Sequence, residues 1–139
     1  MLHIKKIKPM FTSILTTGEL YEEDVYKGSL IIANKGNLKP YQTVIAVGSG
    51  VRDIEAGDKV MINLLHFAVF SHDPNSVKED MDIMKKIKKW NIPWIEMDDE
   101  NGEANKYLLI DNKDVEFVFE GEEKNESIIV PSKPVIITN

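Results

Sequence analysis

The sequence predicts a mainly β protein, a small barrel or sandwich of short strands, and three observations carry that expectation. Residues 41–63, YQTVIAVGSGVRDIEAGDKVMIN, hold two β-rich runs around a glycine-marked turn. Further short apolar runs recur at 10–15 (MFTSIL), 107–110 (YLLI) and 115–119 (VEFVF), bounded by Gly, Asn and Asp. Nothing in the chain alternates strand with helix as a parallel α/β fold does.

Within the first stretch, Thr43-Val44-Ile45-Ala46-Val47 is apolar and rich in β-branched residues, which suits a pleated, mostly buried strand. Gly48-Ser49-Gly50 closes it, because glycine reaches positive φ without a steric penalty and lets the chain leave the strand sharply. Gly57-Asp58 makes a second turn. Lys59-Val60-Met61-Ile62 then starts with polar and apolar residues in alternation and runs into the core. In 115–119, Val115, Phe117 and Phe119 fall on one face.

Residues 70–105 read as an insert. Ser76-Val77-Lys78-Glu79 has the form of a capping box, and Val77, Met81, Met84, Ile87 and then Trp90 recur at helical spacing. Lys85, Lys86, Lys88 and Lys89 gather where cations complement a helix C-terminus. Pro93 limits the helix, and Trp90-Asn91-Ile92-Pro93-Trp94 turns the chain. Ile95-Glu96-Met97 is expected to be a strand entering the polar turn 98–102. The insert is thus one helix and a hairpin.

Residues 9–62 resemble the chaperonin-10 family, the ring-forming co-chaperonins. Pro9-Met10 is similar to the Pro-Leu pair that opens that family's first strand, Val44-Ile45-Ala46-Val47-Gly48 to its VxAVG strand, and Ala56-Gly57-Asp58-Lys59-Val60 to its V-G-D-x-V signature. The closing strands look like 107–110 and 114–119, and the spacing from Pro9 to Gly48 needs no gap. The resemblance implies a Greek-key-like antiparallel β-barrel over 1–139, a tendency to form rings, and a long flexible loop after the first strand. In the family this loop carries an apolar triplet that docks on the chaperonin. Here the loop is 20–37, LYEEDVYKGSLIIANKGN, and Leu30-Ile31-Ile32 is the triplet, with Val25 and Tyr26 assigned to the same partner contact. The alternative is an edge strand in the protein's own core, since three consecutive apolar residues need burial somewhere. The chain departs from the family at Thr12-Ser13, where a charged pair is usual, and at Ser29, where an ungapped alignment places the triplet's first position. Residues 51–56 are also too short for the hairpin that roofs the ring in many members, and 70–105 has no family counterpart.

After the charged break 120–124, residues 124–139 are expected to form an extended arm. Ser127-Ile128-Ile129-Val130-Pro131 and Pro134-Val135-Ile136-Ile137-Thr138 are strand-prone, but their prolines bar a central sheet position. So apolar an arm should pair with the barrel or with a neighbouring subunit. Ile128, Ile129, Val130, Val135, Ile136 and Ile137, with Trp90 and Trp94 of the insert, are the candidate oligomer or arm contacts.

At 139 residues and 42% hydrophobic, the chain can form one sizeable core but hardly two domains. A net charge of −6 argues against a general nucleic-acid surface, and the lysines at 5, 6, 8 and 85–89 read as solvated faces. With no cysteine, disulfides and thiolate metal sites are excluded. The start MLHIKKIKPM lacks a signal-peptide core and no run is long enough to cross a membrane, so the protein is expected inside a cell, and the resemblance to bacteriophage members of the family implies a virion or the host cytoplasm. The sequon Asn125-Glu126-Ser127 is read as accidental.

No catalytic arrangement emerges. His3, His66 and His72 lie in unlike contexts, away from a nucleophile or metal-ligand spacing. His72-Asp73 reads as a surface turn, and Asp98-Asp99-Glu100-Asn101 lacks the spacing of a calcium loop and reads as a hairpin tip. Gly48-Ser49-Gly50 is too short for a phosphate loop. The expectation is a non-enzymatic assembly protein without cofactor, metal, membrane or specific nucleic-acid partner, forming homo- or hetero-oligomers. Its roofless chaperonin-10-like pattern looks like that of bacteriophage members. The leading reading is a capsid auxiliary protein bound to capsid or other shell proteins. The alternative is a phage-type co-chaperonin that caps a chaperonin ring and assists capsid protein folding.

Overall fold

A computed structural model describes residues 1–70, 87–124 and 126–127 of the chain. The fold is mainly β. Its main sheet has six strands in the order β10-β5-β4-β1-β9-β8, all antiparallel. The strands are β1 (Ser13–Thr17), β4 (Tyr41–Val47), β5 (Lys59–Ile62), β8 (Trp94–Asp98), β9 (Ala104–Asp111) and β10 (Val115–Phe119). Strands β2 (Val25–Gly28) and β3 (Leu30–Ala33) form a hairpin, joined along β2 by the two-residue β11 (Glu126–Ser127). A further ladder pairs β6 (Ala68–Phe70) with β7 (Ile87–Trp90). The main sheet is open: among the described residues no ladder joins its end strands, β10 and β8.

The core follows from strand alternation. Ile14 of β1, Val44 of β4, Val60 and Ile62 of β5, and Leu108 and Ile110 of β9 form one buried cluster. Residues two apart share a face, which is why Val60 and Ile62 enter the core together while Lys59 stays outside. Each such side chain contributes roughly 1.5–3 kcal/mol when taken fully out of water. The connection 48–58 between β4 and β5 contains no strand, and its Val51 and Ile54 pack against the same cluster. Gly48 is required by contact and not by positive φ, which neither it nor Gly50 adopts: a Cβ at Gly48 would clash with the Phe11 carbonyl oxygen.

Two segments differ from the sequence reading. The first strand begins at Ser13 and not at Met10, because Phe11 takes φ 56° and the chain turns there, Ser13 N–H donating to the Met10 carbonyl over 3.0 Å. Ile87 and Trp90, read as the end of a helix, lie with Lys88 and Lys89 in strand β7. Strand β6 supplies an antiparallel ladder, and Asn91 N–H donates to the Phe67 carbonyl over 2.7 Å, so local helical periodicity is overridden by a tertiary partner. The rest of the expected helix, with its capping box at 76–79, lies outside the described residues. So do His72 and the arm from residue 128 onward, including Ile128, Ile129, Val130, Val135, Ile136 and Ile137.

The strand expected at 95–97 is β8, turning into β9 through 99–103. Asp99 explains the acidic tip: its Oδ1 accepts the N–H groups of Asn101 and Glu103 at 2.8 and 2.9 Å, and Gly102 follows with φ 83°. That carboxylate closes a turn.

Candidate functional site

The segment between β1 and β4 is paired from root to tip. At its root Lys39 N–H donates to the Glu19 carbonyl, Leu20 bridges Leu38, and Tyr21 N–H donates to the Asn37 carbonyl. Further out, Asp24 Oδ1 accepts Lys35 N–H at 2.8 Å before β2 and β3 begin. Only Ser29 joins these strands, and Gly28 at φ 64° makes that tight turn possible.

Leu30, Ile31 and Ile32 occupy β3, an outer strand of this small sheet with no further strand beyond it among the described residues. They are 67%, 46% and 58% exposed. Successive strand residues point to opposite faces, so the exposure of all three means that neither face of β3 is covered. The triplet is an edge strand, as one reading held, but it contributes nothing to the buried core. Val25 is 7% exposed and so is buried within this protein, while Tyr26, paired with Ile31, is half-buried. An exposed apolar edge is a template for another chain.

Beside the hairpin a cleft of about 480 Å³ opens, lined by Tyr21, Tyr41, Phe119, Ile32, Lys39 and Glu123 among others. Tyr21 and Tyr41 meet edge to face at 6.3 Å, and Tyr41 and Phe119 at 6.1 Å. The Lys39 ammonium stands 5.8 Å from both tyrosine ring centroids, 3.1 Å from the Glu123 carboxylate and 3.8 Å from Glu19. Burial, and then hydrogen bonding to Glu123, hold the Tyr41 hydroxyl protonated well above its usual range. Burial is also the main cause of the upward shift at Tyr21. Glu123 is held below the usual glutamate range by the Tyr41 hydrogen bond, against an opposing cost of burial, with help from Lys39. For Lys39 burial pulls down, but the hydrogen bond and charge of Glu123, with Glu19 and Glu22, win and raise it. This is an aromatic box already filled by the chain's own cation.

At the root of the segment between β1 and β4 lies Gln42, 3% exposed and fully bonded. Its Oε1 accepts the Thr17 hydroxyl and Glu19 N–H, both at 2.8 Å, and its Nε2 donates to the carbonyls of Glu19 and Lys39 at 3.0 and 2.8 Å. The root is thereby fixed to β4.

The other candidates lie apart. Trp90 is exposed on β7, and Trp94 packs over Gly18, with the Lys106 ammonium 5.6 Å from its ring. Thr12, where the family's charged pair was looked for, donates to Asp111 Oδ1 at 2.7 Å. His66 Nδ1 lies 2.8 Å from Asp114, whose other oxygen accepts Asp111 N–H, and His3 lies 3.1 Å from Asp98. Among the described residues no cluster of His, Asp or Glu could hold a metal ion, and no helix is long and apolar enough to cross a membrane. Sequence reasoning missed Tyr21, Lys39, Tyr41 and Glu123, which come together only through the pairing of distant segments.

No protein-family model matches the chain, and a comparison with curated proteins finds no significant match.

Proposed function

We propose that the protein is a non-enzymatic assembly protein whose β2–β3 hairpin docks on a protein partner, and that it serves as an auxiliary component of a larger shell, such as a bacteriophage capsid. The observation that carries the docking role is the exposure of Leu30, Ile31 and Ile32 together on a free strand edge. A partner can add a strand there and bury the alternating side chains on both faces. The shell role is favoured by the way the segment carrying the β2–β3 hairpin is tied down, through Gln42 at its root and β11 along β2, which suits a standing contact. The bacteriophage context and the closing of the sheet into a Greek-key barrel rest on the chaperonin-10 resemblance of residues 9–62.

A co-chaperonin is the second reading, favoured by the place of the apolar triplet near the tip of an arm that follows the first strand. Quantitative mass spectrometry of purified particles separates the two. A shell component is present at a fixed, high copy number. A co-chaperonin is absent from particles and co-purifies with a chaperonin ring when ATP is present. Failure of both measurements overturns both readings.

A further inference from the structure

The chain that follows β10 returns to the hairpin. Lys59 Nζ donates to the Gly121 carbonyl over 3.1 Å, Glu123 meets Lys39 at 3.1 Å and accepts from Tyr41, and β11 then runs parallel to β2 with Glu126 opposite Lys27 and Ser127 opposite Gly28. A two-stranded hairpin is marginal in water, and a third strand is what ordinarily makes such a unit stable. Yet β11 is only two residues long and pairs in the weaker parallel sense. The ladder alone is a poor anchor. The charge-assisted contact at Glu123, made inside the box of Tyr21 and Tyr41, is the stronger attachment nearby.

We infer that residues 121–124 with β11 form a strap that preorganises the β2–β3 hairpin, and that Lys39, Tyr41 and Glu123 are its lock. The strap covers β2 at Lys27 and Gly28, and among the described residues β3 is the longer free edge of the small sheet, opposite the two-residue β11. A locked strap therefore sets which edge is offered and lowers the ordering cost of binding. This deepens the proposed docking role and rests on it only for the consequence in binding. The coupling of strap to hairpin stands apart.

Hydrogen exchange of the whole chain tests it. In Glu123→Ala the amides of Tyr26, Lys27 and Ile31 are expected to exchange faster by about tenfold, while those of Val44 and Leu108 keep their protection. Glu123→Gln, which keeps an acceptor for Tyr41 but loses the charge, should fall between wild type and Glu123→Ala. Unchanged exchange in the hairpin overturns the strap, as does a uniform rise that includes Val44 and Leu108. The docking role fails separately, if Ile31→Asp leaves partner binding intact while the hairpin exchanges as in wild type.

Discussion

The Lys39 ammonium lies 3.1 Å from the Glu123 carboxylate and so joins the root of the β2–β3 arm to the chain that leaves β10. Tyr41, on β4, completes the contact from the main sheet. Two segments distant in sequence, 39–41 and the chain after β10, meet at one charge pair.

The pH dependence of that contact follows from the directions of the shifts. Glu123 is lowered from 4.5 in the folded protein, so its stabilisation is present above that value and is lost as pH falls through the folded value. Lys39 is raised from 10.5 and Tyr41 from 10.0, so their contributions are full below those values and are lost as pH rises through the folded ones. Exchange at Lys27 and Gly28 should thus be slowest, after correction for intrinsic rates, between pH 5 and 9, roughly. A flat corrected profile from pH 3 to 9, roughly, contradicts the assignment.

Gln42→Leu removes a side chain whose four hydrogen bonds hold Thr17, Glu19 and Lys39. Partners left buried without a bond cost about 1–3 kcal/mol in sum or more. Urea denaturation should show a midpoint lowered by that loss divided by the slope, with the slope itself unchanged. Gln42→Glu should also destabilise, because an added carboxylate oxygen would face the Glu19 and Lys39 carbonyls.

Gly48→Ala forces a methyl group against the Phe11 carbonyl oxygen and within 2.8 Å of the Met10 carbonyl carbon. Backbone must move, and the expected loss is about 1–3 kcal/mol. Gly57→Ala meets nothing within 4 Å but sits at φ 97°, so its cost is conformational only. Thermal unfolding of the two variants separates contact from torsion.

Leu30→Asp and Ile31→Asp should leave stability within about 0.5 kcal/mol of wild type, because both side chains are already in solvent. Far-UV circular dichroism and denaturation check this. A large loss of stability would mean that the triplet packs at home.

Much of the fold is legible in local pattern. The apolar run of β4, the glycine at 57 and the polar turn at Asp99 each announce their role within a few residues, whereas Gly48 is needed for the close approach of Phe11, which no local pattern shows. Met10 and Phe11 mislead because apolar residues before a strand read as its start, although φ at Phe11 breaks it. Ile87 and Trp90 mislead because a spacing of three fits a helix face, and only the partner strand β6 decides otherwise. Leu30 to Ile32 could be singled out from sequence because three apolar residues interrupt a polar loop. The lock could not, since nothing local links Lys39 to Glu123.

The central claim is that Leu30, Ile31 and Ile32 attach the protein to a shell. Copy number in purified particles, counted by quantitative mass spectrometry for wild type and Ile31→Asp, tests it most directly. The account predicts a fixed, high number for wild type and a loss of at least about tenfold for the variant, the scale expected when a buried anchor is replaced by a charge. Absence of the wild-type protein from particles, or equal copy numbers for the two, would contradict it.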